Sequence, residues 1–212
     1  MYQPPHFREE NREVLHALIR SHPLATLVTK AGDRLDANHV PMLLDAERGD
    51  HGVLRAHIAR GNDLVARHDP SFEVLVIFQG AESYITPSWY ETKRQTGKVV
   101  PTWNYVTVHA HGRLALVDDR AWLRAQITAL TNTQEGARSA PWHVGDAPEA
   151  FIEAQIKGIV GLEIEITAFE GKWKVSQNRP EADRIGVTQG LAGQGDAAMA
   201  QLVAGARSGS AQ

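Results

Sequence analysis

The chain has 212 residues, a formal net charge of −3 and no cysteine. That length can bury one full hydrophobic core with extensions and leaves little room for a second complete domain. The missing cysteine excludes disulfides, thiolate nucleophiles and cysteine-held zinc or iron–sulfur sites, and the small, interspersed charge offers no global attraction to a nucleic-acid backbone. No apolar run approaches the roughly 17 to 25 residues of a membrane helix, so a cytoplasmic protein with no membrane partner is expected.

After a polar arm with Pro4 and Pro5, the spacing of Val14, Leu15, Leu18 and Ile19 predicts an amphipathic helix, capped by Asn11 and stopped by Pro23. Residues 24–29 read as a short strand closed by a turn at Gly32-Asp33. Residues 35–44 read as a second strand, with the polar pair Asn38-His39 inside it, and 52–58 as a third. A short helical piece reaches His68 and is broken at Asp69-Pro70, after which residues 72–78 form a compact apolar strand. Strand after short strand with little helix between predicts a mainly β fold, a barrel or barrel-like sheet with peripheral helices, rather than βαβ units.

Residues 84–115 concentrate rigid aromatics: Tyr84, Trp89, Tyr90, Trp103 and Tyr105 lie there, and the segment runs into a strand alternating as far as Val117. Asp118-Asp119 caps a helix from Arg120 to Thr131. Residues 132–145 form an irregular link of the length that serves as a lid, a binding loop or an interface element. A helix over 148–157, a strand over 158–169, a turn at Glu170-Gly171 and a short helix over 181–191 complete a single domain, residues 1–191. Residues 192–212, rich in glycine, alanine and serine, read as a flexible tail, with residues 196–203 the one stretch excepted.

Two clusters carry candidate chemistry. Arg55, His57, Arg60, Asn62 and His68 gather cations and amides around a strand end and a helix start, a combination suited to phosphate, or simply a solvated strand end. Lys172 and Lys174 point to one side of a strand with Ser176, followed by Gln177, Asn178 and Arg179. They could line a polyanion site or flank a charged hairpin. His109 and His111 share a strand face, but no spacing supplies a third ligand, and no metal site is expected. No nucleophile elbow and no paired carboxylates stand out, so no catalytic residue is assigned.

Residues 84–105 and the run Ser176-Gln177-Asn178-Arg179-Pro180-Glu181-Ala182-Asp183-Arg184 resemble the PaiB-type family, described as FMN-binding negative transcriptional regulators. Met1-Tyr2, Asn38-His39-Val40-Pro41 and Leu54-Arg55-Ala56-His57-Ile58-Ala59-Arg60-Gly61-Asn62 are similar as well. The resemblance implies a split β-barrel of the FMN-binding, pyridoxamine-oxidase-like kind, a homodimer holding FMN noncovalently at the subunit interface. It implies His57, Arg60 and Asn62 at the phosphate end and Lys174, Ser176 and Gln177 contributing from the C-terminal part. It places Trp103 and Asn104 at the ring or the dimer interface. It also implies transcriptional repression with a DNA or regulatory-protein partner, although no helix-turn-helix is recognisable and the first helix is a weak basic face. A flavin-dependent oxidoreductase on a small substrate, or a haem-binding split barrel, are the alternative functions.

Overall fold

The computed structural model describes residues 1–206; residues 207–212 of the expected tail lie outside the described residues. In chain order the elements are β1 (Arg8–Glu9), α1 (Arg12–Ser21), β2 (Leu24–Ala31), β3 (Arg34–Pro41), β4 (Leu43–Asp45), β5 (Val53–Ala59), α2 (Asp63–Arg67) and β6 (Val74–Ile85). They continue with α3 (Glu91–Thr96), β7 (Thr102–Val117), α4 (Arg120–Glu135), α5 (Glu149–Lys157), β8 (Ile159–Lys174), α6 (Glu181–Gly193) and α7 (Ala197–Gly205). The chain gathers into two compact units, one of residues 19–78 and 109–169, the other of residues 1–18, 79–108 and those from 170 onward.

In the first unit, β5 and β8 are antiparallel in a register that sets Leu54 against Ile164, Ala56 against Leu162 and Ile58 against Val160. All six are buried, the result of period-two alternation bringing apolar side chains to one face of both strands. On the other face lie α4 and α5, where Leu123, Val144, Ile152 and Ile156 form a second buried cluster with Trp122 packed against it. Gly161 of β8 makes this layer fit: a Cβ there would stand 2.8 Å from Cε3 of the Trp122 indole, so only hydrogen leaves room for the ring. The β2–β3 hairpin turns at Gly32, whose φ of +67° suits glycine.

The expectation of a mainly β, split β-barrel fold is corrected. The hydrogen-bonded order is β3-β2-β6-β7-β8-β5-β4, a path with two ends and not a ring, and helix takes about as much of the chain as strand. Closure requires the outer edge of each terminal strand to be taken up by another strand. Here β4 is only three residues long, β3 ends in Pro41 with no N–H to donate, and the two are not paired with each other. Asp36, Asn38 and His39 add polar side chains along that open end strand.

In the second unit β1 pairs antiparallel with the end of β8, Arg8 opposite Lys172 and Glu9 opposite Gly171. The turn expected at Glu170-Gly171 does not form, and β8 runs unbroken to Lys174. Gly171 serves close packing instead: a Cβ there would sit 2.6 Å from the Glu9 carbonyl oxygen and would collide with the Leu15 side chain. Val187, Leu191, Met199 and Val203 bury the facing sides of α6 and α7. The helix α7 lies within the segment expected to be the tail. Trp89 lies on Gly190 of α6, where a Cβ would stand 2.6 Å from the indole nitrogen.

Gly171→Ala therefore overpacks a site closed by backbone on one side. It should cost about 1–3 kcal/mol in a urea unfolding experiment; an unchanged midpoint would show that β1 yields without penalty.

Candidate functional site

The residues expected to hold flavin fall into separate compact units: His57, Arg60 and Asn62 in the first, and Trp103, Asn104, Lys174, Ser176 and Gln177 in the second.

On β5, Arg55 and His57 stand two apart and so share the face opposite to Leu54, Ala56 and Ile58. The His57 Nδ1 and the Arg55 Nε are both buried and, among the described residues, lack a hydrogen-bond partner. Burial lowers the His57 pKa from its usual value, because the charged imidazolium is poorly solvated there. Gln126 of α4 donates through Nε2 to the Arg55 carbonyl at 3.2 Å, while its own buried Oε1 is unpartnered. That amide was not singled out from sequence. A polar residue between Leu123 and Ile127, on the buried side of a helix, is the signal that could have found it.

Arg60 is engaged by the protein itself. Its Nη1 and Nη2 donate to the two carboxylate oxygens of Asp118 at 2.9 and 2.6 Å, Nε donates to the Lys157 carbonyl at 3.0 Å, and Nη2 also reaches the Ile159 carbonyl at 2.9 Å. The Asp118 hydrogen bond raises the Arg60 pKa and lowers that of Asp118. The planar fork thus joins the end of β5 to the residue after β7, the last residue of α5 and the first of β8. Asn62 caps α2, its Oδ1 accepting from the Leu64 N–H at 2.9 Å, and its Nδ2 donates to Asn38 Oδ1 at 2.8 Å. That bond gives the amide inside β3 a partner through its oxygen, while the Asn38 Nδ2 is buried without one among the described residues. The His68 ring contacts the Leu114 carbonyl through Nε2 at 3.0 Å.

In the second unit two polar bridges join β7 to the segment that ends β8. Lys174 Nζ donates to Thr102 Oγ1 at 2.6 Å, and the buried Asn104 donates through Nδ2 to Ser176 Oγ at 2.9 Å. Asn104 Oδ1 is left buried and unpartnered among the described residues. Ser176 sits at φ 64°, a left-handed conformation that costs a non-glycine residue about 1–2 kcal/mol. Gln177 holds this reversal, accepting from the Val175 N–H at 2.8 Å and donating to the Trp173 carbonyl at 2.5 Å. Trp103 is half-exposed and meets Tyr84 edge to face, ring centres 5.9 Å apart. Nearby, Arg179 stacks 4.8 Å from the buried Tyr90 ring, and Asp183 accepts from the Thr92 N–H at 2.8 Å. The Tyr90 pKa is raised, chiefly by burial.

Residues 132–145 are partly helical. The helix α4 extends through Glu135, whose side chain accepts from the Trp142 N–H at 3.1 Å, and a short 3-10 turn at Val144–Asp146 follows. Among the described residues no helix is long and apolar enough to cross a membrane.

Residues 1–168 match the family model described as "Putative FMN-binding domain". An uncharacterized protein of Emericella nidulans is 37% identical over 226 residues, covering 90% of each chain. The Protease synthase and sporulation protein PAI 2 of Bacillus subtilis is 31% identical over 191 residues, covering 90% of this chain and 89% of its own. Among solved structures, the FAD and heme binding protein from Mycobacterium smegmatis superposes with a TM-score of 0.57 at 15% identity, over 79% of this chain and 73% of the other, a likeness of fold. These findings correct the PaiB-type, negative-regulator expectation. The family description names a flavin and no nucleic acid, a single relative at 31% identity gives only distant support, and the open sheet departs from the barrel on which that expectation stood. The chain belongs to the FMN-binding domain family, and FMN is its cofactor.

Proposed function

We propose that the protein is a flavin-dependent oxidoreductase acting on a small substrate, with FMN held noncovalently and its phosphate met by the Arg55 and His57 face of β5. The observation that carries this reading is the pair of buried, unpartnered nitrogens, His57 Nδ1 and Arg55 Nε. A buried donor left without an acceptor costs about 1–3 kcal/mol. A phosphate oxygen is an acceptor that removes this cost and satisfies the guanidinium as well. The Arg60–Asp118 fork positions the end of β5, and Asn62, bonded to Asn38, orders the chain that follows it. Bound FMN supplies the capacity to accept and return reducing equivalents, while the residues named here bind and orient it.

The name of the Mycobacterium smegmatis neighbour, an FAD and haem binder, supports redox cofactor chemistry over gene regulation for this fold. Association of two copies is part of the same reading. The exposed Tyr84–Trp103 edge pair supports it, because rigid aromatics at a surface are the side chains that interfaces use.

Protein purified without added cofactor should show a flavin absorbance spectrum or take up FMN stoichiometrically. A nicotinamide donor should then bleach the flavin band, and an added acceptor should restore it. A bound flavin that no hydride donor reduces, or a Soret band in place of flavin, would overturn the oxidoreductase reading. Arg55→Ala should weaken FMN about tenfold or more, equivalent to about 1.4 kcal/mol, with riboflavin affinity much less affected.

His57 also sets a pH dependence. Because its folded pKa lies below the unfolded value of 6.5, the unfolded chain takes up a proton first as pH falls. The stability that neutral His57 provides above 6.5 is therefore lost as pH drops through 6.5 toward the folded pKa. The thermal midpoint should fall more steeply from pH 7.5 to 5.5 in the wild type than in His57→Gln; parallel curves would contradict the assignment.

A further inference from the structure

The second unit holds two neighbouring lysines that no carboxylate pairs among the described residues. Lys172 and Lys174 stand two apart on β8 and so share a side of the strand. Lys172 is 8% exposed; among the described residues its ammonium donates to the Tyr2 carbonyl, at 2.9 Å, and faces the rings of Tyr105 and Tyr2, 5.2 and 5.7 Å from their centres. Lys174 is bonded to the Thr102 hydroxyl. Neither lysine has a carboxylate partner among the described residues. Arg8, directly across the β1–β8 ladder from Lys172, is itself cationic, and its own ion-pair partner is Glu10. The Glu170 carboxylate, also close in sequence, receives the N-terminal ammonium of Met1 at 2.7 Å.

The effect of this crowding reaches Lys174. Its pKa is lowered, first by burial and then by the positive charges of Lys172 and Arg179, with only Tyr105 acting in the other direction. Burying an ammonium without a counter-charge is costly, and two like charges side by side add repulsion. Fold stability alone would favour neutral side chains here. Ser176 at positive φ and the Gln177 clamp bring the chain back so that Arg179 bears on the same cluster.

We propose that Lys172, Lys174 and Arg179 form a binding site for the oxyanion, phosphate or carboxylate, of a small molecule. The ligand supplies the negative charge that the fold omits. The Lys174–Thr102 bond holds one ammonium in place, and the Tyr105 and Tyr2 rings stabilise the other without neutralising it. The buried, open Asn104 Oδ1, on the strand that carries Thr102, adds an acceptor for an N–H or O–H donor on the same ligand.

The test uses inorganic phosphate at fixed ionic strength, so that general screening is the same in every sample. The wild-type thermal midpoint should rise in phosphate relative to chloride. Lys172→Gln and Lys174→Gln, made separately, should each abolish that rise while their ligand-free midpoints match or exceed the wild type; Lys174→Arg should retain it. Titrations with FMN and with riboflavin distinguish the source of the oxyanion. If it is the phosphate of FMN, Lys174→Gln weakens FMN at least tenfold, leaves riboflavin unchanged, and phosphate competes with FMN. If it belongs to a separate ligand, FMN affinity is unchanged and FMN-saturated protein still gains the phosphate stabilisation. Failure of FMN to bind at all would sink the flavin proposal and leave the phosphate measurement intact. Equal stabilisation by phosphate in the wild type and both glutamine variants, or none in the wild type, would overturn the oxyanion site.

Discussion

Strand β8 is approached more closely than any side chain would allow, and much of each compact unit depends on that. In the first unit the indole of Trp122 lies on Gly161, which lets α4 seat against the sheet and closes the Leu123–Val144–Ile152–Ile156 layer. In the second unit the Glu9 backbone and the Leu15 side chain lie on Gly171, which lets β1 pair with the strand end that carries Lys172 and Lys174. Glycine in a strand ordinarily weakens it; here the lost side chain admits a second layer.

Both candidate sites rest on polar groups that the fold leaves incomplete. Arg55 Nε and His57 Nδ1 in one unit, and Asn104 Oδ1 with the Lys172–Lys174 pair in the other, each cost stability as they stand. Other polar side chains near them are fully engaged, although Asn38 Nδ2 and Gln126 Oε1 are open as well. Arg60 uses three nitrogens on Asp118 and two carbonyls, Asn62 makes a cap and an amide bond at once, and Gln177 spans a strand end with both of its side-chain termini. The proposed sites are those where open atoms lie beside cationic side chains, which an external anion would satisfy.

Arg60 illustrates how residue type and residue role separate. A guanidinium at a strand end is chemically suited to a phosphate, but the same planar fork is equally suited to a carboxylate, and Asp118 meets it bidentately. The side chain then holds the strand end from outside, and the groups with unmet bonds are His57 and Arg55, three and five residues earlier on the same strand. That engagement of Arg60 is why the proposed phosphate site lies on the helix-covered face of β5 and not at its exposed end.

Local chemistry was enough to place most elements. The strand over 52–58, the Gly32 turn and the helix that follows the cap at Asp118-Asp119 are all read within a few residues, and the sequence by itself determined them. It also assembled the chemistry of both clusters, since cations two apart on a strand must share a face. Three matters were decided only in the tertiary structure. Whether the terminal strands meet depends on the twist and length of the whole sheet, so alternation could not distinguish an open path from a ring. Gly171 has the composition of a turn but the role of a packing site, because what excludes its side chain is Glu9 and Leu15, more than 150 residues away along the chain. And whether a charged group is satisfied depends on partners remote in sequence: Asp118 answers Arg60 across 58 residues, while among the described residues no carboxylate comes to Lys172 or Lys174.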